Sequence, residues 1–229
     1  MEKKNTVLLT VIAVATLLVA VVGATFAYFT ATNGTTGDAT GTTDVKTAES
    51  VAGVTLNFGK VNPSSNVVYP GTMNYIGATV AAELEAGKTG TYNSTYTLNG
   101  SVTLSEAFAF EVNYSLYETS TPLAEGQTPV TCDPVANKGT ATEIKYSQSC
   151  TVNAGLGTKI DSASGTIAAG DTTATIAFSG NVNTGSTKYY YLVVEYPEKD
   201  VDQNADAGNK TITLAIDSVV PVGSTPVNQ

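Results

Sequence analysis

The sequence predicts an all-β protein, an antiparallel β-sandwich of two sheets, preceded by an apolar N-terminal helix. Beyond residue 30 the chain is rich in Thr, Gly, Ser, Asn and Val and sparing in the Leu, Glu, Lys and Arg that sustain amphipathic helices. Apolar residues recur at every second position in several short segments, the period of a half-buried strand. Gly, Asn and Pro turns separate these segments at regular spacing, as in sandwiches and barrels.

The helix comes first. Behind Lys3 and Lys4, residues 5–37 carry no charge, and residues 7–22 are an apolar helix former interrupted only by Thr10 and Thr16. Thr25 and Ala27 supply the small side chains that a signal peptidase reads, so cleavage is expected between Ala27 and Tyr28, leaving residues 1–27 as a signal peptide. Residues 7–29 are also long enough to cross a hydrocarbon core about 30 Å thick, which keeps a retained anchor as the alternative. No lysine follows until Lys46, and the lack of a basic stop-transfer flank argues for removal.

Residues 28–50 have no periodic apolar face and read as an extended segment. The sandwich domain is expected over 51–221. Val54, Leu56 and Phe58 alternate with polar residues, Asn62 and Pro63 break the strand, and residues 67–69 resume it before the Pro70-Gly71 turn. Residues 72–82 are a further strand, closed by a polar turn over 83–90. Asn99-Gly100 reads as a type I′ hairpin turn between strands 91–98 and 101–104. Phe108, Phe110, Val112, Tyr114 and Leu116 then share one face, and residues 118–128 form a loop. Short strands are expected at 129–132 and 143–152, and better ones at 173–179, 187–196 and 210–220. Within 187–196, Tyr190, Leu192, Val194 and Tyr196 point to the core, while Tyr189 and Tyr191 cover the outer face or a subunit contact. Residues 222–229 read as a polar tail without a Leu-Pro-x-Thr-Gly-like sorting signal, so any attachment to the cell is expected through protein contacts.

Composition narrows the function. With 20 acidic residues against 11 basic ones the net charge is −9, which disfavours nucleic acid and anionic lipid as partners. Membrane contact is expected only through the signal segment before its removal. Cys132 and Cys150 are an even pair in a chain read as exported, which suggests one disulfide, with two buried free thiols as the alternative. Closing a loop of that length stabilises by about 3 kcal/mol in the chain-entropy model.

The leader ending Gly23-Ala-Thr-Phe-Ala-Tyr-Phe-Thr-Ala31 resembles the export signals of the TasA/camelysin family of Gram-positive bacteria, which a SipW-type signal peptidase cuts. The Tyr69-Pro-Gly71 turn and the run Tyr191-Leu-Val-Val-Glu-Tyr-Pro197, followed by Asp202-Gln-Asn-Ala-Asp-Ala-Gly208, are similar to later landmarks of that family; the middle of the chain has no counterpart. The resemblance implies a secreted jelly-roll protein of the biofilm matrix. It also implies fibres of copies or related subunits, in which the mature N-terminal strand of one completes the sheet of the next. The donor here would be residues 28–36, beginning Tyr28, Phe29, Thr30, Ala31, Thr32. Tyr28 and Phe29 would be its apolar anchors.

Chemistry is thinly represented. Camelysin-type members are described as metallopeptidases, but a zinc peptidase needs histidine ligands and a serine or cysteine nucleophile needs a histidine base, and this chain has no histidine. No enzyme activity and no cofactor are therefore expected. Gly87-Lys88-Thr89 mimics the end of a phosphate loop but sits in a turn context. Asp200, Asp202, Asn204 and Asp206 place oxygen ligands at alternate positions and form a weak Ca²⁺ candidate, although Ala205 and Thr211 break the EF-hand pattern. The alternatives to a matrix protein are a membrane-tethered adhesin or pilin-like subunit that keeps its N-terminal helix, and a hydrolase with an unrecognised carboxylate site.

Overall fold

The computed structural model describes residues 44–51, 53–61, 67–140 and 145–227. The expected leader helix, the Ala27/Tyr28 cleavage point and the donor residues 28–36 lie outside them, as do Asn62 and Pro63. The strands in chain order are β1 (Asp44–Val51), β2 (Val54–Val61), β3 (Met73–Leu84), β4 (Tyr92–Leu104), β5 (Val112–Thr119), β6 (Val130–Cys132), β7 (Ala136–Asn137), β8 (Tyr146–Ser147), β9 (Cys150–Val152), β10 (Thr158–Ile167), β11 (Thr173–Asn183), β12 (Thr187–Glu195) and β13 (Ile212–Pro226). A single turn of 3₁₀ helix, Ala154–Leu156, precedes β10. The described residues are thus all-β, as expected, and among them no helix is long and apolar enough to cross a membrane.

The main sheets are antiparallel: a six-stranded one ordered β1-β2-β3-β12-β5-β10 and a three-stranded one ordered β11-β4-β13. Their facing sides supply the core. Val54, Leu56 and Phe58 from β2, Ile76, Ala78 and Val80 from β3, and Tyr190, Leu192 and Val194 from β12 meet Tyr96, Leu98 and Val102 of β4 and Ile212, Leu214 and Ile216 of β13. Alternation creates this layer, because a pleated strand sends every second side chain to the same face. The Pro70-Gly71 turn forms as expected: Gly71 takes φ +83° and Thr72 N–H donates to Tyr69 O at 2.9 Å, the pattern of a type II turn.

Several expectations are corrected. Asn99-Gly100 is no hairpin: β4 runs straight through it, pairing Asn99 and Gly100 with Ala177 and Ile176 of β11, and Gly100 has no positive φ. A Cβ on Gly100 would lie 2.5 Å from Ala215 O, so this glycine serves the close approach of β13. Residues 44–50 are a strand paired with β2. Residues 158–167, unassigned from the sequence, are β10. The strand after Phe108 and Phe110 starts only at Val112, though Phe108 is buried in the core and Phe110 packs against it. Val67 makes an isolated bridge to Thr211, and β13 continues to Pro226, into the segment read as a tail.

Candidate functional site

Four places gather unusual side chains or open backbone. The first is a polar bridge through the core. Tyr96 of β4 and Tyr190 of β12 meet hydroxyl to hydroxyl at 2.6 Å, and Tyr190 donates to Glu118 Oε2 at 2.8 Å, so Tyr96 is the donor in the first bond. Lys188 closes the row on Glu118 Oε1 at 2.5 Å. Burial pushes both phenols far above their usual range, which keeps them neutral hydrogen-bond donors. Gly180 makes room, since a Cβ there would come within 2.7 Å of the Tyr96 ring. Residues from three strands distant in sequence meet here, and no local pattern announces them.

The second is the loop after β12. Asp206, 1% exposed, accepts on Oδ2 from Tyr196 Oη at 2.6 Å and from Ala109 N–H at 3.0 Å, and its Oδ1 forms an ion pair with Lys210 Nζ at 2.7 Å. Lys210 also donates to Ala107 O and lies over the Phe108 ring. Asp206 thus ties this loop to the chain leading into β5. Other members of the weak Ca²⁺ candidate are also engaged: Asp202 Oδ1 accepts locally from Asn204 N–H at 3.0 Å, and Asn204 Oδ1 accepts from Tyr146 N–H of β8 at 3.4 Å. Asp200 occupies a left-handed conformation at φ +56°. Among the described residues no group of three or more His, Cys, Asp or Glu is placed to hold a metal ion. The i,i+4 spacing of Asp206 and Lys210 was the sequence signal for the actual pairing.

The third is a cap on the outer face of the six-stranded sheet. Cys132 and Cys150 are bridged, with S–S at 2.06 Å, and join β6 to β9. Beneath the cap a second apolar cluster contains Val130, Leu156, Tyr191 and Val193, so Tyr191 is covered by the chain's own middle segment. The Tyr69–Thr72 turn locks to it: Gln148 N–H donates to Pro70 O at 2.7 Å and Thr72 Oγ1 to Gln148 Oε1 at 2.8 Å. A Cβ on Gly71 would lie 1.9 Å from Gln148 O, which excludes any other residue there. A shallow groove of about 300 Å³ runs between this turn and the cap, lined by Val67, Tyr69, Met73, Tyr75, Val130 and Val135 with Thr72, Asn74 and Gln148.

The fourth is the set of sheet edges. β1 and β10 end the larger sheet, and β11 and β13 the smaller one, each laddered on one side only among the described residues. A bridged cysteine pair fits an oxidising compartment. No protein-family model, no curated protein and no solved structure matches this chain.

Proposed function

We propose that this chain is a secreted, non-enzymatic structural protein of the extracellular matrix or cell surface of a Gram-positive bacterium. In this reading a signal peptidase removes residues 1–27, and the exported jelly-roll subunit assembles with copies of itself or related subunits into fibres, donating Tyr28, Phe29 and the residues after them to a neighbour's sheet. One observation carries it: the Glu118 and Asp206 carboxylates are engaged by partners within the fold, whereas both main sheets end in strands laddered on one side. Such edges accept an extended segment from another chain, whose backbone bonds give affinity without a new core.

Electron microscopy of the exported protein, with and without residues 28–36, tests the reading. Filaments are expected from the intact protein and none from the deletion. Filaments unchanged by the deletion would remove the donor role, and an intact mass that includes residues 1–27 would show a retained anchor instead.

A further inference from the structure

Three of the four edge strands carry features that discourage another strand. β1 has Asp44, Lys46 and Glu49 and an irregular register between Asp44 and Thr47. β10 has Lys159 and Asp161 and shifts register between Ile160 and Gly165. β13 has Asp217 and Pro221 and shifts register twice. Charges, prolines and bulges are the means by which sheet proteins keep their edges from pairing. β11 has none of them: its 11 residues are uncharged, free of proline and in unbroken register with β4.

The ladder tells which groups β11 leaves open. Leu104 N–H donates to Thr172 O at 2.8 Å and Thr184 N–H to Tyr92 O at 2.9 Å, so the even-numbered residues between them turn their backbone groups to β4. Thr173, Thr175, Ala177, Ser179 and Asn181 turn theirs outward, and these N–H and C=O groups have no hydrogen-bond partner among the described residues. The core is also incompletely closed on this side. Ala174 and Phe178, on the inner face of β11, are only partly buried, as is Ile160 on β10 in the facing sheet.

We propose that the β11 edge pairs with the β11 edge of a second copy, antiparallel about a two-fold axis at Ala177. Thr173 then faces the second copy's Asn181, Thr175 its Ser179, and Ala177 its Ala177. Each odd residue from 173 to 181 exchanges both backbone bonds with its opposite, which satisfies every group left open. The outward side chains at these pairs are small and uncharged. On the inner face Phe178 of each copy lies across from Ile176 of the other and gains the cover it lacks. Copies of net charge −9 repel one another, and an uncharged strand lets them touch without opposing acids. The pairing uses no residue before Asp44 but takes the same open edge that a donated strand would occupy, so the two compete there. Deletion of residues 28–36 tells them apart: it removes strand donation and leaves the β11 pairing.

A single strand edge buries less than the roughly 1,200 Å² of a standard interface, so the dimer is weak and concentration-dependent. Sedimentation velocity of the protein as isolated from its cells is expected to show reversible dimers at high concentration. Ala177→Lys sets two ammonium groups opposite each other at the axis and is expected to weaken the dimer severalfold. Ala177→Cys is expected to cross-link with a short thiol-reactive bifunctional reagent. The two thiols lie on the same face of a bonded antiparallel pair with Cα atoms about 5.5 Å apart, too far at Cβ for a direct disulfide but within the reagent's reach. Thr213→Cys on β13 serves as the control. Ala177 is exposed, so neither change disturbs the core. A monomer at every concentration, or Ala177→Cys that cross-links no faster than Thr213→Cys, overturns the proposal. Association lost in Ala177→Lys without cross-linking through Cys at 177 gives the edge to a different strand and overturns it equally.

Discussion

Asp206→Asn probes the loop that closes one end of the sandwich. The carboxylate is 1% exposed, accepts hydrogen bonds from Tyr196 Oη and Ala109 N–H, and forms an ion pair with Lys210 Nζ. An amide keeps one oxygen and points an NH₂ at one of those donors, while Lys210 loses its counter-charge. Removing one partner of a buried ion pair costs about 3–5 kcal/mol. The Lys210 side chain is 16% exposed, and water there moderates the loss, so the lower end, about 3 kcal/mol, is expected. Urea unfolding followed by circular dichroism near neutral pH reads it as a lower midpoint at unchanged slope. The pH dependence supplies an independent check. Burial alone would raise the Asp206 carboxyl, but hydrogen bonds from Lys210, Tyr196 and Ala109 outweigh it and hold the group below its usual range. A carboxyl depressed in the folded state contributes stability above its unfolded value of about 3.9, and that contribution is lost as pH falls through the folded value. The gap between wild type and variant therefore narrows on acidification below about pH 4. A loss under about 1 kcal/mol at neutral pH, or a gap of constant size into acid, would refute the account of Asp206 as a satisfied charge.

Gly100→Ala is expected to cost about 1–3 kcal/mol, because the new methyl meets Ala215 O, a backbone atom of a paired strand that cannot swing aside. Thermal unfolding measures it, and a wild-type midpoint would show that β13 shifts freely. Replacing Cys132 and Cys150 together by Ser is expected to cost about 3 kcal/mol and to expose the apolar cluster under the cap. Binding of an apolar dye to the folded variant, absent in wild type, reads that exposure. Unchanged stability and no dye binding would mean that packing alone holds the cap.

Strands with one buried face were legible because burial and alternation coincide: Val54, Leu56 and Phe58 in β2, or Ile212, Leu214 and Ile216 in β13, announce both the strand and its inner side. β1 and β10 were not, since Asp-Val-Lys-Thr-Ala-Glu-Ser-Val and Thr-Lys-Ile-Asp-Ser-Ala-Ser-Gly-Thr-Ile show no such stripe. Pairing with β2 and β5 holds them in place, and a lone sequence does not display its neighbours. Asn99-Gly100 misled for a related reason. The dipeptide favours positive φ, but β4 is laddered on both sides, and bonds to β11 and β13 override a local preference worth about 1 kcal/mol. Asp206 read as a metal ligand because oxygen spacing is visible in sequence, whereas its inward turn towards Tyr196 and Ala109 depends on the packed loop.

β12 explains why the molecule needs a cap on one sheet. From Tyr190 to Val194 every residue is buried, so both faces of this central strand require apolar cover. The facing sheet covers the inner side. The outer side is covered by Val130 and Leu156, carried on a segment whose two longest strands have only 3 residues each. Ladders that short do not hold themselves. The disulfide and the hydrogen bonds of Gln148 to Pro70 and Thr72 therefore do the holding, which gives the cysteines and the Pro70-Gly71 turn a common physical cause. The three-stranded sheet has no such need: its outward positions on β4 and β11, from Asn93 to Thr103 and from Thr173 to Asn183, are Thr, Ser, Asn and Ala, which water covers well. One sheet is thus closed over its face by the chain itself, while the other is wet on its face and open along β11. Association through that edge adds backbone bonds without uncovering apolar surface first, so it can be reversible, whereas association through the capped face of β12 would require the cap to leave.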